Sequence, residues 1–236
     1  EAWRMTLFNQ FHDILPGSGI RENYIDANEK YSEVRNIGGF ELKKALNHIG
    51  KQVNTSGIRK ATPLVVFNPL SWERTDLARF ELPQGDEDDY AVLDIQGREL
   101  PSQAIRKDRL TREILFIAEK VPSVGYKLYQ LRKQRPSTRK SSLTISNTTL
   151  ENEFFKISIN LETGWLSSVF DKRAAKEILS GPGNELELLA DYPSAWDAWN
   201  VGLTGVKYPS KLRKIEIVEA GNVRIVLRLY RDYLKP

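Results

Sequence analysis

The chain has 236 residues, 40% hydrophobic and 28% charged, with 15 Gly and 11 Pro, an ordinary globular composition that sets aside disordered, collagen-like and low-complexity readings. Its 35 Lys and Arg against 31 Asp and Glu leave a small net charge of +4, and the longest apolar runs, such as Ile114 to Ala118, fall far short of the ~18 residues that a membrane-spanning helix needs. Cysteine is absent, which excludes disulfides, thiolate metal ligands and cysteine nucleophiles together.

From Glu1 to about Gln52 the apolar residues recur at helical spacing. Trp3, Leu7 and Phe11 form a short stripe, and Ile20, Tyr24, Ala27, Tyr31, Val34, Leu42, Ala45 and Ile49 a longer one. Two helices are predicted, joined by the turn Pro16-Gly17-Ser18-Gly19, with the second bent or interrupted near Gly38-Gly39. Each has a single apolar face, so the pair reads as the end of a helical bundle.

After Asn54-Thr55-Ser56-Gly57 the pattern turns to short β-like runs at Leu64 to Phe67, Leu77 to Leu82, Tyr90 to Ile95, Glu113 to Ala118 and Tyr126 to Leu131. The acidic cluster Asp86-Glu87-Asp88-Asp89 reads as a solvated hairpin loop between two of them. Basic residues are densest from Arg132 to Lys140, beside Pro136, Ser137 and Thr138. No stacking aromatics interleave that stretch, so it reads as a solvated loop, which disfavours nucleic acid as a partner. Beyond it Phe155, Ile157 and Ile159 alternate with polar residues, Thr163-Gly164 makes a turn, and Trp165 to Phe170 returns as a hairpin. Further strands are predicted at Glu185 to Ala190, Leu212 to Glu219 and Val223 to Tyr230. The fold class is α+β, a short helical-bundle segment followed by predominantly antiparallel β-sandwich domains. The boundaries are 1–56 for the end of a helical domain, 57–136 for a small β domain and 137–236 for the start of a larger sandwich. A first residue that is not Met, an opening already inside a helix and a sheet without a closing element are expected of a piece of a longer protein.

Only two histidines exist, His12 and His48. His48 sits among Lys43, Lys44 and Lys51 and reads as a surface residue. His12 stands beside Asp13 at the end of the first predicted helix, where an imidazole can ligate a metal and a carboxylate can accept sugar hydroxyls. Spacing alone favours a structural role for that pair. Trp196 and Trp199 bracket Asp197 and suit a sugar-facing loop, the alternative being an aromatic anchor between packed domains. Trp72 and Trp165 are expected in a core or an interface.

The longer strings carry a resemblance. Asn9-Gln10-Phe11-His12-Asp13-Ile14-Leu15-Pro16-Gly17-Ser18 resembles the N-Q-F-H-D-I-x-P-G-[ST] motif of the α-mannosidases of glycoside hydrolase family 38. Val66 to Trp72 is similar to the family's F-N-P-L-S-W segment, Val121 to Tyr126 to V-P-x-x-G-Y, Leu150 to Phe154 to L-E-N-E-[FY], and Asp191 to Trp199 to D-x-P-x-x-W-D-A-W. Thr163-Gly164, Asp171-Lys172 and Gly183-Asn184 fall in family order, and the spelling is closer to the bacterial and cytosolic branch, which favours a cytoplasmic setting.

The resemblance implies a zinc-dependent retaining exoglycosidase that removes terminal α-linked mannose, with His12 as a zinc ligand and Asp13 in contact with the sugar. An H-x-D ligand pair and an aspartate nucleophile belong to the family's catalytic barrel. No H-x-D occurs here, and nothing marks two carboxyl groups about 5 Å apart for retaining hydrolysis, so no catalytic residue is assigned. These residues alone are therefore expected to be inactive and to bind zinc weakly. The implied partner is a mannose-containing oligosaccharide, with neither nucleic acid nor membrane, and apolar faces left open by truncation would favour a homo-oligomer. The competing readings are a non-catalytic carbohydrate-binding or structural β-sandwich module, and a relative acting on another mannoside such as mannosylglycerate.

Overall fold

The computed structural model describes residues 1–137 and 141–233; Thr138, Arg139 and Lys140 of the basic stretch lie outside the described residues. The chain divides into two compact units, residues 1–54 with 188–208, and residues 55–187 with 209–236.

In the first unit helix α1 spans Ala2–Phe8 and helix α2 spans Arg21–Gly50. The first helix stops four residues short of His12, which therefore lies in a run of turns. The expected break at Gly38-Gly39 does not occur. A glycine costs roughly 1 kcal/mol against alanine but keeps its N–H, so the hydrogen-bond ladder runs on, and no neighbouring side chain approaches either position within 4 Å to force a bend. Ala27 is the one buried residue of α2, and Trp3, Leu7, Phe8, Phe40 and Leu42 stand exposed. His48 is a surface residue, its Nε2 3.0 Å from Gln52 Nε2.

The second unit opens with seven strands: β1 (Thr62–Asn68), β2 (Arg74–Glu81), β3 (Tyr90–Asp94), β4 (Glu99–Leu100), β5 (Ser102–Arg106), β6 (Arg112–Val121) and β7 (Gly125–Lys133). They form two antiparallel sheets, β1-β7-β3-β4 and β2-β6-β5. Alternation places Leu64, Val92, Tyr129 and Leu131 of one sheet and Ile114, Phe116 and Ala118 of the other in a common core. At its centre the Phe116 and Tyr129 rings meet edge to face with centroids 5.1 Å apart.

Two of the motif segments come together here. Asn68 Nδ2 donates to the carbonyls of Trp72 at 2.7 Å, Val121 at 3.2 Å and Pro122 at 3.1 Å, while its Oδ1 accepts the Leu70 N–H at 3.1 Å. Trp72 itself is 59% exposed and so is not a core residue, the first of the two expected positions; the segment is held by the asparagine and not by its indole. The acidic loop also differs from expectation. It crosses from one sheet to the other, since β2 and β3 are not partners, and it is bound at several points. Arg112 Nη1 donates to the Asp86 and Asp88 carbonyls, each at 3.1 Å, Tyr90 donates to Asp86 Oδ2 at 2.8 Å, and Lys133 pairs with Asp88.

The chain continues through β8 (Thr144–Ile145), β9 (Thr149–Glu151), β10 (Phe155–Ile159), β11 (Leu166–Asp171), β12 (Lys176–Glu177), β13 (Leu188–Asp191), β14 (Leu203–Tyr208), β15 (Ser210–Ala220) and β16 (Ile225–Tyr233). The expected 155–170 hairpin is present as β10-β11 within the antiparallel sheet β12-β11-β10-β9-β8. Its turn needs a glycine twice over: Gly164 has φ +70°, and a Cβ there would come within 2.8 Å of Leu212 Cδ1 and 3.0 Å of Leu229 Cδ2 on the β15-β16 hairpin. Trp165 beside it is half-buried, with the Arg231 guanidinium 5.9 Å from its ring centroid. Strands β13 and β14 pair in the first unit; the alternation left β14 unforeseen because it is almost wholly exposed.

Phe116→Ala is expected to lower unfolding free energy by about 3–5 kcal/mol, read as a lower denaturant midpoint at unchanged slope. A second expectation concerns pH. Burial, aided by the Glu119 and Asp94 charges, pushes the Tyr129 phenol up to about 12 from an ordinary 10.0. Its contribution to stability is complete below pH about 10 and is lost as pH rises through about 12, because only the unfolded chain ionises in that window. Alkaline unfolding followed by phenolate absorbance should be shifted to higher pH in Tyr129→Phe.

Candidate functional site

The loop 9–20 is built by short-range backbone bonds. Asn9 N–H donates to Met5 O at 3.1 Å, Ile14 N–H to Phe11 O at 2.9 Å and Gly17 N–H to Ile14 O at 3.3 Å, with Gly17 at φ +88°. Helix α2 then fixes it from one face. Asn9, 1% exposed, donates through Nδ2 to the Ala27 carbonyl at 3.0 Å, and Gln10 Nε2 donates to the Tyr31 hydroxyl at 3.3 Å. The Tyr24 hydroxyl accepts the Gly19 N–H at 2.8 Å and donates to the Asp13 carbonyl at 3.1 Å. Residues 24, 27 and 31 lie three and four apart, so a single helix face makes all three attachments. Close approach of the loop end requires Gly19, where a Cβ would lie 2.8 Å from Asn23 Nδ2 and 3.3 Å from the Tyr24 hydroxyl.

With its backbone held, the loop turns His12 outward. The imidazole is 77% exposed, its centroid 4.3 Å from that of Phe11, and its Nε2 lies 3.6 Å from Asp13 Oδ2. Asp13 borders a shallow depression together with Phe11, Asn23, Asp26 and Lys30. One imidazole and one carboxylate are suitable zinc donors by chemistry, but a catalytic zinc takes about three protein ligands. Among the described residues no third His, Asp or Glu joins them in a group able to hold a metal. The pair fits a contribution to a zinc site and does not make one.

The structure places the other predicted residues on the long connection between β13 and β14. Trp196 is 75% and Trp199 65% exposed, and Asp197 is exposed between them. The connection is nonetheless shaped: Trp199 N–H donates to Trp196 O at 2.7 Å, Asn200 Nδ2 to Ala195 O at 2.8 Å, and Gly202 N–H to Asp191 Oδ1 at 2.6 Å. Trp196 adopts φ 58°, a left-handed conformation uncommon for a bulky residue. Gly202 passes so near Pro193 that a Cβ would fall 2.5 Å from its Cα. Among the described residues no hydrogen bond, ion pair or ring contact joins this connection to the His12-Asp13 pair. Sequence reasoning missed Asn9, Gly19, Tyr24 and Tyr31 as the residues that position His12; the two tyrosine hydroxyls were hidden in what read as an apolar stripe, and Asn9 and Gly19 stood only as letters of a motif and a turn.

These features now meet comparison with known proteins. Residues 150–235 match the profile of the glycosyl hydrolases family 38 C-terminal domain. The resemblance seen in the motifs extends over most of the sequence. The chain is 26% identical to mouse alpha-mannosidase 2C1 over 232 residues, 94% of this chain and 19% of that protein, and 25% identical to the human protein over the same coverage. It is 23% identical to alpha-mannosidase G of Dictyostelium discoideum over 98% of this chain and 24% of that protein. The chain thus spans about a fifth of the length of the first two. Among solved structures, an alpha-mannosidase from Enterococcus faecalis V583 matches with a TM-score of 0.72 at 19% identity, over 97% of this chain and 30% of its own, and shares the fold.

Tyr24→Phe should cost about 1 kcal/mol by leaving the Gly19 N–H and the Asp13 carbonyl without their common partner. Hydrogen exchange at the Gly19 amide should rise while that of the α2 interior, at Val34 for instance, is unchanged.

Proposed function

We propose that these residues belong to a zinc-dependent retaining α-mannosidase acting on terminal α-linked mannose of oligosaccharides. The observation that carries the reading is the exposed His12-Asp13 pair on a loop whose backbone is bonded to one face of α2. In this reading His12 is a zinc ligand and the Asp13 carboxylate accepts hydroxyl hydrogen bonds from the bound mannose. Bound zinc would supply a fixed positive charge that orients sugar oxygens. The held loop backbone limits the geometries His12 can adopt, lowering the entropy lost when the ligand set closes. The remaining zinc ligands, the nucleophile and the acid/base are proposed to come from a catalytic barrel outside these residues.

The β13-β14 connection is proposed as a second sugar contact, with Trp196 and Trp199 offering faces to pyranose C–H groups and Asp197 accepting hydroxyls. Its support is a braced backbone that exposes two indoles three residues apart. Exposed Trp3, Leu7, Phe8 and Phe40 would also favour self-association of the chain on its own.

The chain alone is expected not to hydrolyse aryl α-mannosides, with or without zinc; zinc-stimulated turnover by it would contradict the assignment of catalytic groups elsewhere. In a protein that adds the barrel, His12→Ala should abolish most bound zinc and activity at nearly unchanged melting temperature. Full metal stoichiometry in that variant would make His12 structural.

A further inference from the structure

The β2-β6-β5 sheet ends on β5, whose outer edge has no strand partner among the described residues. Open edges are usually blunted by charge, proline or a covering segment. The turn of the β15-β16 hairpin, more than a hundred residues further along the chain, reaches this strand through one side chain. Gln103, in the middle of β5, accepts through Oε1 the N–H groups of Val223 at 3.2 Å and Arg224 at 2.9 Å. Its Nε2 faces Glu219 Oε2 at 3.3 Å. Glu219 is held in turn by Arg224, whose Nε and Nη2 donate at 2.8 and 2.6 Å. One amide therefore satisfies two turn N–H groups and one carboxylate at the same time.

The turn is shaped to receive it. A Cβ on Gly221 would fall onto the Gln103 amide, so only glycine lets the backbone close over that side chain. Ser141, which follows the connection between the two β blocks, donates through Oγ to the Asn222 carbonyl at 3.2 Å on the same turn. At the near side of that connection Ser137 N–H and Oγ donate to Glu99 Oε1 at 2.6 and 2.7 Å. Each block has its own sheets, and the connection between them is tied at both ends.

We propose that Gln103 is a latch that locks the β15-β16 hairpin to the edge of the first sandwich, making the two β blocks of this unit open as one. The three bonds converge on a single neutral side chain. A hairpin held only by apolar contact would need neither the amide nor the glycine opposite it.

The test is hydrogen exchange on the whole chain, with calorimetry alongside. Gln103→Ala should speed exchange at Val223 and Arg224 about tenfold while Phe116 in the first core keeps its protection, and the β unit, which with the latch intact should unfold in one thermal transition, should show two. Gly221→Ala should reproduce both effects with Gln103 intact, because the added methyl displaces the amide. Unchanged exchange at Val223 and Arg224 in both variants, with one transition retained, would overturn the latch. Equal loss of protection at Phe116 and Val223 in Gln103→Ala would also overturn it, by making Gln103 part of the first block's own stability.

Discussion

A backbone N–H or carbonyl withdrawn from water must find a partner, and in this protein side-chain amides supply many of those partners where strands and helices end. Asn9 takes the Ala27 carbonyl, Asn68 takes those of Trp72, Val121 and Pro122, and Gln130 takes that of Asp94 at 2.9 Å. Asn152 accepts the N–H groups of Phe154 and Phe155, and Asn160 those of Glu162 and Thr163, shaping the turns before β10 and β11. A neutral amide suits such places. It offers donor and acceptor together, and it avoids the desolvation cost that a buried charge would carry.

The functional reading follows from the same constraint. Asn9 is buried among the residues around α1 and α2, so the turn after it cannot drift without breaking a hydrogen bond inside an apolar setting. His12 faces solvent and Asp13 is partly exposed, both from a backbone already held by neighbouring contacts, which suits the proposed roles of meeting a metal and a sugar in fixed directions. The β13-β14 connection works similarly, with Asp191 and Gly202 closing its base while its indoles stay exposed.

Much of this was legible in the sequence. Period-2 alternation located Phe155 to Ile159 and Tyr126 to Leu131, where it reports burial on one face, and helical spacing located both helices although α1 buries no residue and α2 only Ala27. The short strands β4, β8 and β12 and the exposed β14 gave no such pattern. The Gly38-Gly39 pair misled because low propensity was read as a break, whereas a long helix tolerates two glycines that nothing crowds. Of the motif residues, Asn9, Asn68 and Asn152 were visible only as letters of a resemblance. Their work is hydrogen bonding to backbone groups distant in the chain or just ahead, and no periodicity announces that. His12 and Asp13 were found by residue type, while the α2 side chains that place them were not.

Asn9 is proposed to place His12, the proposed zinc ligand, without touching the metal. The direct measurement is zinc affinity, by competition with a chelator, of a barrel-bearing protein carrying Asn9→Leu, with circular dichroism as the check on folding. The account predicts a loss of about tenfold or more in affinity at retained helix content, the size of effect produced when residues that orient a ligand are removed. Undiminished affinity in a folded Asn9→Leu protein would contradict it.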